Sequence, residues 1–319
     1  MKLVVLERNS VGTDVDVSCF ERFGEVEYYP NTVAENTAER VKDADIVIAN
    51  KAPMNENTLK DAPNVKLICL FATGFDNVDL AYCKSRGIKV ANVVNYSTSA
   101  VVQHTLLLAL ALEEKLVHYD NYVKSGEYGA QDRFSNFDRP FGEFDGKTWG
   151  IVGMGNIGRG VAKVAQALGC KVIFYSASGK STCTDYERVE FDALLSQSDI
   201  LSLHCPLSDR TRGLINKEAF FKMKKSAILV NVARGPVVDT QALFEALTQG
   251  QIAAAGLDVL EKEPISRDNP LNEIKDSTKL IITPHMAWAS TEARERLVAE
   301  VVKNIRAFLD GEERNVVNK

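Results

Sequence analysis

Three ionisable residues follow short apolar runs in the C-terminal part of the chain: Arg234 in Asn231-Val232-Ala233-Arg234-Gly235, Glu263 after Asp258, and His285 in Thr283-Pro284-His285. Each run reads as a parallel strand, and residues at the carboxyl ends of such strands face the ligand crevice of an open α/β sheet. An arginine there can hold a carboxylate and polarise a neighbouring carbonyl through paired N–H groups. A histidine, ordinarily titrating at about 6.5, can deliver or accept a proton near neutrality. A buried glutamate beside it would favour the charged imidazole and fix its tautomer. Together they suit reduction of a 2-oxo acid by hydride. Taken singly, each has a plainer reading: Arg234 as a surface cation, Glu263 as a loop charge before Pro264, His285 as a strand-end histidine bonded to backbone. Spacing alone does not bring the three together.

A hydride donor needs its own cradle, and Gly153-Met154-Gly155-Asn156-Ile157-Gly158 has the surroundings of one. Trp149-Gly150-Ile151-Val152 precedes it as a strand; Val161, Val164, Ala165 and Leu168 follow at helical spacing; Gly169 supplies a stop, and the run from Lys171 to Tyr175 is the next strand. In such a βαβ unit the first glycine allows the tight turn, the second admits a pyrophosphate to backbone N–H groups, and the third lets helix and strand pack. The anion rests on the helix N-terminus. The second strand should end in an acid for the ribose hydroxyls, yet it runs Phe174-Tyr175-Ser176-Ala177-Ser178-Gly179-Lys180. Nothing there repels a 2′-phosphate, and Ser176, Ser178 and Lys180 could bind it. The cofactor expected is NAD(H) or NADP(H), with a lean to NADP(H).

At 319 residues, with 45% hydrophobic and 25% charged, the chain has room for two domains with real cores. The net charge of -5 and the scattered lysines and arginines give no support for a nucleic-acid partner. The N-terminus begins directly with a strand, and no apolar run is long enough to span a bilayer, so no membrane partner and a cytoplasmic location are expected. Cys19, Cys69, Cys83, Cys170, Cys183 and Cys205 show no metal-ligand spacing and read as reduced thiols. No metal site is expected.

Taken in order, strands at Lys2 to Leu6, Val26 to Tyr29, Asp45 to Ala49, Val65 to Leu70 and Ile88 to Asn92 alternate with helices. Thr32 with Glu35 reads as a capping box. This predicts a parallel sheet of about five strands, complete before the glycine run. The turn Ala72-Thr73-Gly74-Phe75 ends the fourth strand, where its N–H groups could hold a substrate carboxylate or merely reverse the chain. Asn50-Lys51-Ala52 ends the neighbouring strand similarly, and Lys51 adds positive charge. Ser97 or Thr98 caps a long apolar helix predicted through Leu116 and buried between domains or subunits, with His104 inside it as a packing and hydrogen-bonding residue. Residues 119–146, rich in aromatic residues, read as an excursion to a second subunit. About six further strands follow, and the last helix, roughly Thr291 to Leu309, returns to the first domain.

The glycine run, Val230 to Gly235, Gly256-Leu257-Asp258-Val259 with Glu261-Lys262-Glu263-Pro264, and Thr283-Pro284-His285 resemble the signatures of the D-2-hydroxyacid dehydrogenases in order and spacing over essentially the whole chain. His204-Cys205-Pro206-Leu207 with Thr211, and Asn95 to Ser99 with Gln103-His104, resemble further family segments. The Tyr96-Ser97-Thr98 stretch and Trp288 look most like glycerate dehydrogenases, also called hydroxypyruvate or glyoxylate reductases. The resemblance implies that Arg234 binds substrate carboxylate and carbonyl, that His285 is the general acid or base, and that Glu263 pairs with it. It also implies that Asn156 and Ile157 meet the pyrophosphate beside the motif glycines Gly153, Gly155 and Gly158, with Cys205, Pro206, Thr211, Val232 and Ala233 as further cofactor contacts; Ser176 and Lys180 are cofactor candidates from the serine-rich run itself. Asp258 is implied near the nicotinamide and the turn at Thr73 and Gly74 at the substrate carboxylate; Lys51, by its charge at the neighbouring strand end, and Trp288 are further substrate candidates. Many members place an aspartate at Ser176, so its absence here departs from the pattern.

The expected fold is α/β with two Rossmann-like doubly wound parallel-sheet domains: a discontinuous flavodoxin-like substrate domain, residues 1–98 plus 288–319, and a dinucleotide-binding domain, residues 99–287. A cleft crossed near Ser97 and Trp288 is expected to close over a small 2-oxo or 2-hydroxy acid, in a homodimer. The rivals are a phosphite or formate dehydrogenase on the same scaffold and a dinucleotide-sensing binding protein. Glu263 counts against formate, whose dehydrogenases resemble a Gln-His pair, and nothing resembles the disordered tails of a regulator.

Overall fold

Short runs of Val, Ile and Leu punctuated by turns cannot hide one face only, and they pack as parallel strands covered on both sides. The computed structural model, which describes residues 1–319, resolves into two compact units, Met1–Ser97 with Trp288–Lys319, and Thr98–Ala287.

In the first unit, β1 (Lys2–Val5), β2 (Glu25–Tyr28), β3 (Ile46–Ala49), β4 (Leu67–Leu70) and β5 (Lys89–Ala91) form one sheet in the order β2-β1-β3-β4-β5, all parallel. This is the flavodoxin-like order. Every residue of β3 and β4 is buried. The last helix, Thr291–Leu309, belongs to this unit, and its Asn304 side-chain amide donates to the Asn92 carbonyl at 2.9 Å. The carboxyl tail then covers the edge of β5: Val317 N–H donates to the Val90 carbonyl and Asn318 Oδ1 accepts the Val90 N–H, both at 2.9 Å. An uncovered edge strand invites pairing with another chain, and this tail removes the opportunity.

One local expectation fails here. Thr32 does not open a capping box: its hydroxyl donates to the Leu6 carbonyl, and the helix starts at Ala34 with Val33 before it. The segment Ser18–Phe23 is helical, of the 3-10 type.

In the second unit, β6 (Thr148–Val152), β7 (Lys171–Tyr175), β8 (Glu187–Arg188), β9 (Ile200–Leu203), β10 (Ile228–Asn231), β11 (Ala254–Leu257) and β12 (Leu280–Ile282) form a parallel sheet in the order β12-β11-β10-β9-β6-β7-β8. The order reverses between β6 and β9, the switch point of a dinucleotide-binding sheet. Seven strands stand where about six were expected, because β8 is a two-residue exposed strand with no apolar signal. The helix Thr98–Glu113 also stops short of Leu116: Lys115 takes φ 55°, and a new helix begins at Leu116. Its buried face packs on the second unit's own sheet, where a Cβ on Gly256 would lie 3.0 Å from Leu108 Cβ. No helix is long and apolar enough to cross a membrane, and all six cysteines are free thiols.

Candidate active site

β10, β11 and β12 run in register, Asn231 beside Leu257 and Leu257 beside Ile282, so the segments after them leave the sheet at one edge. That edge carries Arg234, Asp258, Glu263 and His285. The structure joins two of them directly: His285 Nδ1 lies 2.6 Å from Glu263 Oε2. The other carboxylate oxygen accepts the Leu260 N–H at 2.9 Å, which orients the group. With Nδ1 engaged, Nε2 is the nitrogen left to exchange a proton with a ligand. Glu263 is not buried as expected; its side chain is 31% exposed, because residues 261–265 form a surface loop.

His285 has φ 53°, in the left-handed region that a residue with a Cβ enters only at a cost. Asp258 holds it there. Its carbonyl accepts the His285 N–H at 2.9 Å, Oδ1 accepts the Met286 N–H at 2.8 Å, and Oδ2 accepts the Ala287 N–H at 2.8 Å. The Thr283 hydroxyl donates to Oδ1 at 2.6 Å. Since that hydroxyl has spent its hydrogen, His104 Nε2, 2.9 Å from Thr283 Oγ1, is a donor to it. His104 therefore does bond as well as pack, and it ties the helix Thr98–Glu113 to the turn that carries His285.

Arg234 is placed through its backbone. Asn231 Nδ2 donates to the Arg234 carbonyl at 3.0 Å, and Arg234 Nη1 donates to the Ala233 carbonyl at 2.8 Å. A Cβ on Gly235 would lie 1.9 Å from the Leu260 carbonyl carbon, so the Arg234 turn presses directly against the loop leading to Glu263. Only glycine permits that approach.

At the switch point, a cavity of about 590 Å³ opens beside the glycine turn. Gly153 has φ 96°, and a Cβ there would meet the Cys205 N and the His204 carbonyl at 2.9 Å. A Cβ on Gly158 would lie 2.2 Å from the Gly153 carbonyl oxygen, whereas one on Gly155 would meet nothing within 4 Å. The three glycines thus divide into a turn, an open approach and a helix contact, and no side chain caps the helix Asn156–Ala167 that starts there. Those features fit a pyrophosphate. A buried polar atom without a protein partner, Nδ1 of His204, adds to the fit, since His204 also lines the cavity.

Of the expected cofactor contacts, Gly153, Gly155, Ser176, Lys180, Cys205, Pro206 and Thr211 line this cavity. Asn156, Ile157, Gly158, Val232, Ala233 and Asp258 do not. Gly158 serves packing, and the Asp258 carboxylate serves the His285 turn. Sequence reasoning missed Arg159 and Arg210, two cations on the cavity wall; Arg159 sits next to Gly158 at the start of the helix, a signal that could have been read. Ser176 is buried, and its Oγ accepts the Ser181 N–H at 3.3 Å. Burial pushes the Cys205 thiol up to about 11, so it is a neutral wall group rather than a nucleophile.

In the first unit Lys51 and Thr73 are exposed. The N–H groups of Asn50, Lys51 and Ala52 do not await a substrate carboxylate: the Glu7 side chain takes them. The Thr73 hydroxyl donates to the Val93 carbonyl at 2.7 Å and the Asn92 amide donates to the Thr73 carbonyl at 2.7 Å, which fixes the turn that includes Gly74. Trp288 meets Tyr96 edge-on, ring centroids 6.2 Å apart.

Residues 106–287 match the family model described as D-isomer specific 2-hydroxyacid dehydrogenase, NAD binding domain. Over the full length of both chains the sequence is 42% identical to a hydroxypyruvate reductase of Blautia hydrogenotrophica. It is 41% identical to a glycerate dehydrogenase of Methylorubrum extorquens, covering 99% of this chain and 98% of that one. Among solved structures, a D-lactate dehydrogenase from Aquifex aeolicus complexed with NAD and lactic acid superposes with a TM-score of 0.87 at 30% identity, covering 100% of this chain and 99% of that one.

Proposed function

The chain belongs to the D-isomer specific 2-hydroxyacid dehydrogenases, and from that premise we propose that it reduces hydroxypyruvate or glyoxylate to the corresponding 2-hydroxy acid. The nicotinamide cofactor, when bound, supplies the hydride. Arg234 holds the substrate carboxylate and its carbonyl oxygen through paired N–H groups. His285 gives its Nε2 proton to the oxygen that becomes the hydroxyl, and Glu263 holds Nδ1–H and stabilises the charged ring. In the reverse direction Nε2 takes the proton back. Lys51 and the turn at Thr73 and Gly74 add contacts to the acid, and Trp288 borders its side chain. The observation that carries this reading is the 2.6 Å His285–Glu263 pair on the carboxyl edge of a dinucleotide-binding sheet.

The coenzyme we assign is NADPH in preference to NADH. Arg159, Lys180 and Arg210 line the switch-point cavity together with Ser176 and Ser178, and no carboxylate lines it. A 2′-phosphate would meet cations there and no like charge. The exposed Phe134, Phe137 and Phe141 within residues 119–146 offer apolar side chains for a second copy to cover, which supports a homodimer as the working form. A cytoplasmic location completes the proposal.

The test is absorbance of NADH and NADPH, in parallel, with hydroxypyruvate, glyoxylate, pyruvate and a bulkier 2-oxo acid. Fast oxidation with the first two, and faster with NADPH, supports the substrate and the coenzyme; silence with all four acceptors removes the substrate reading. A monomer by light scattering removes the dimer, and cell fractionation checks the location.

A further inference from the structure

Glu7 follows β1, and although it carries a carboxylate it is only 8% exposed. Its side chain accepts N–H groups from three consecutive residues beyond β3. Asn50 donates to Oε2 at 2.6 Å, Lys51 to both oxygens at 2.9 Å, and Ala52 to Oε2 at 3.1 Å. β1 and β3 are neighbours, and the strand order β2-β1-β3-β4-β5 reverses between them. In a sheet of this order that reversal is where a ligand is taken. Successive backbone N–H groups aimed at one point form an anion nest. Here the chain fills its own nest with its own carboxylate.

The far side of the same loop has a separate anchor. Asn77 Nδ2 donates to the Ala52 carbonyl at 2.8 Å, and the Met54 N–H donates to the Asn77 carbonyl at 2.9 Å. Glu7 therefore governs the N–H side of residues 50–52 without being the whole support of the loop. Lys51 is the exposed member of that run, while Ala52 is buried.

We infer that Glu7 is a positioning residue for substrate recognition: by filling the nest it sets the backbone of Asn50 to Ala52, so that Lys51 is presented to the 2-oxo acid. The inference rests on the reading of Lys51 as a substrate contact. Glu7 touches neither substrate nor cofactor, so its loss changes capture of the acid and leaves the chemical step alone.

The experiment is steady-state kinetics of Glu7→Gln, Glu7→Asp, Glu7→Ala and Lys51→Ala, with NADPH and NADH affinity followed by fluorescence. Glutamine keeps the shape of Glu7 but turns an amide NH2 toward N–H donors. The expected result is a KM for the 2-oxo acid raised about tenfold in Glu7→Gln, with kcat and coenzyme affinity unchanged. Glu7→Asp should recover part of the loss, and added formate, a carboxylate small enough for the vacated nest, should lower the KM of Glu7→Ala while only competing with substrate in the parent enzyme. If Lys51→Ala raises KM but Glu7→Gln does not, the inference about Glu7 is overturned and the reading of Lys51 stands. An unchanged KM in Lys51→Ala removes the reading of Lys51 and the inference with it. Should Glu7→Ala fail to fold, Glu7→Gln alone decides.

Discussion

His285 Nδ1 stands 2.6 Å from Glu263 Oε2, and the histidine that makes this contact sits at φ 53° because Asp258 accepts its own N–H and those of Met286 and Ala287, the two residues after it. The pair is thus built from two sources, a loop that brings the carboxylate and a buried aspartate that bends the backbone. Each source can be removed separately.

Replacing His285 by Ala removes the group that moves the proton. Turnover should fall by about 10²–10⁴-fold, while coenzyme affinity measured by fluorescence stays at the parent value. Glu263→Gln leaves an amide in place of the carboxylate that holds Nδ1–H and orients the ring, so kcat for reduction should fall by about tenfold or more. Near-parent turnover in His285→Ala would remove it from the mechanism.

Asp258→Asn leaves the turn with a poorer acceptor at a buried site. Hydrogen bonds to a charged group are worth about 1.5–3 kcal/mol, and two backbone N–H groups and the Thr283 hydroxyl depend on this carboxylate. Both the thermal midpoint and kcat should drop. His104→Phe, which deletes the donor to Thr283 but fills the space, should lower kcat with a smaller loss of stability. A stability loss with kcat retained in both variants would reduce this network to packing.

Coenzyme choice should turn on Ser176. Ser176→Asp places a carboxylate beside Lys180 on the cavity wall, where it can bind ribose hydroxyls and repel a 2′-phosphate. The ratio of kcat/KM with NADPH to that with NADH should fall by about tenfold or more. An unchanged ratio would place the determinant elsewhere on the wall, with Arg210 the next residue to change.

Acid should destabilise the second unit through His204. Burial pushes its pKa down from 6.5 to about 3. Between those values the unfolded chain binds a proton that the folded chain does not, so stability is full above pH 6.5 and is lost as pH falls toward 3. Urea midpoints at pH 7.5 and 5 should differ by less in His204→Asn than in the parent. An equal difference in both proteins would mean that other groups carry the acid sensitivity.

Much of this protein could be read from local pattern alone. Val, Ile and Leu runs alternating with helical periods dictate two parallel sheets, and the strand from Trp149, the glycine run and the strand from Lys171 dictate a dinucleotide unit, because each of these signals lies within about thirty residues. Arg234, Glu263 and His285 stand out as candidates for a related reason, since they follow strand ends and parallel strands deliver their carboxyl ends to one edge, but it is the family resemblance and not their spacing that implies their roles. What the tertiary structure decided involves partners far apart in the chain. The contact of Glu263 with His285, the service of Asp258 to the His285 turn, the reach of His104 to Thr283, and the filling of the Asn50 to Ala52 nest by Glu7 all join segments that only folding brings together. Residue type announces that a carboxylate must find donors when it is buried; only the packed chain settles which donors it finds, since that depends on strand order and on loop paths that carry no periodic signal.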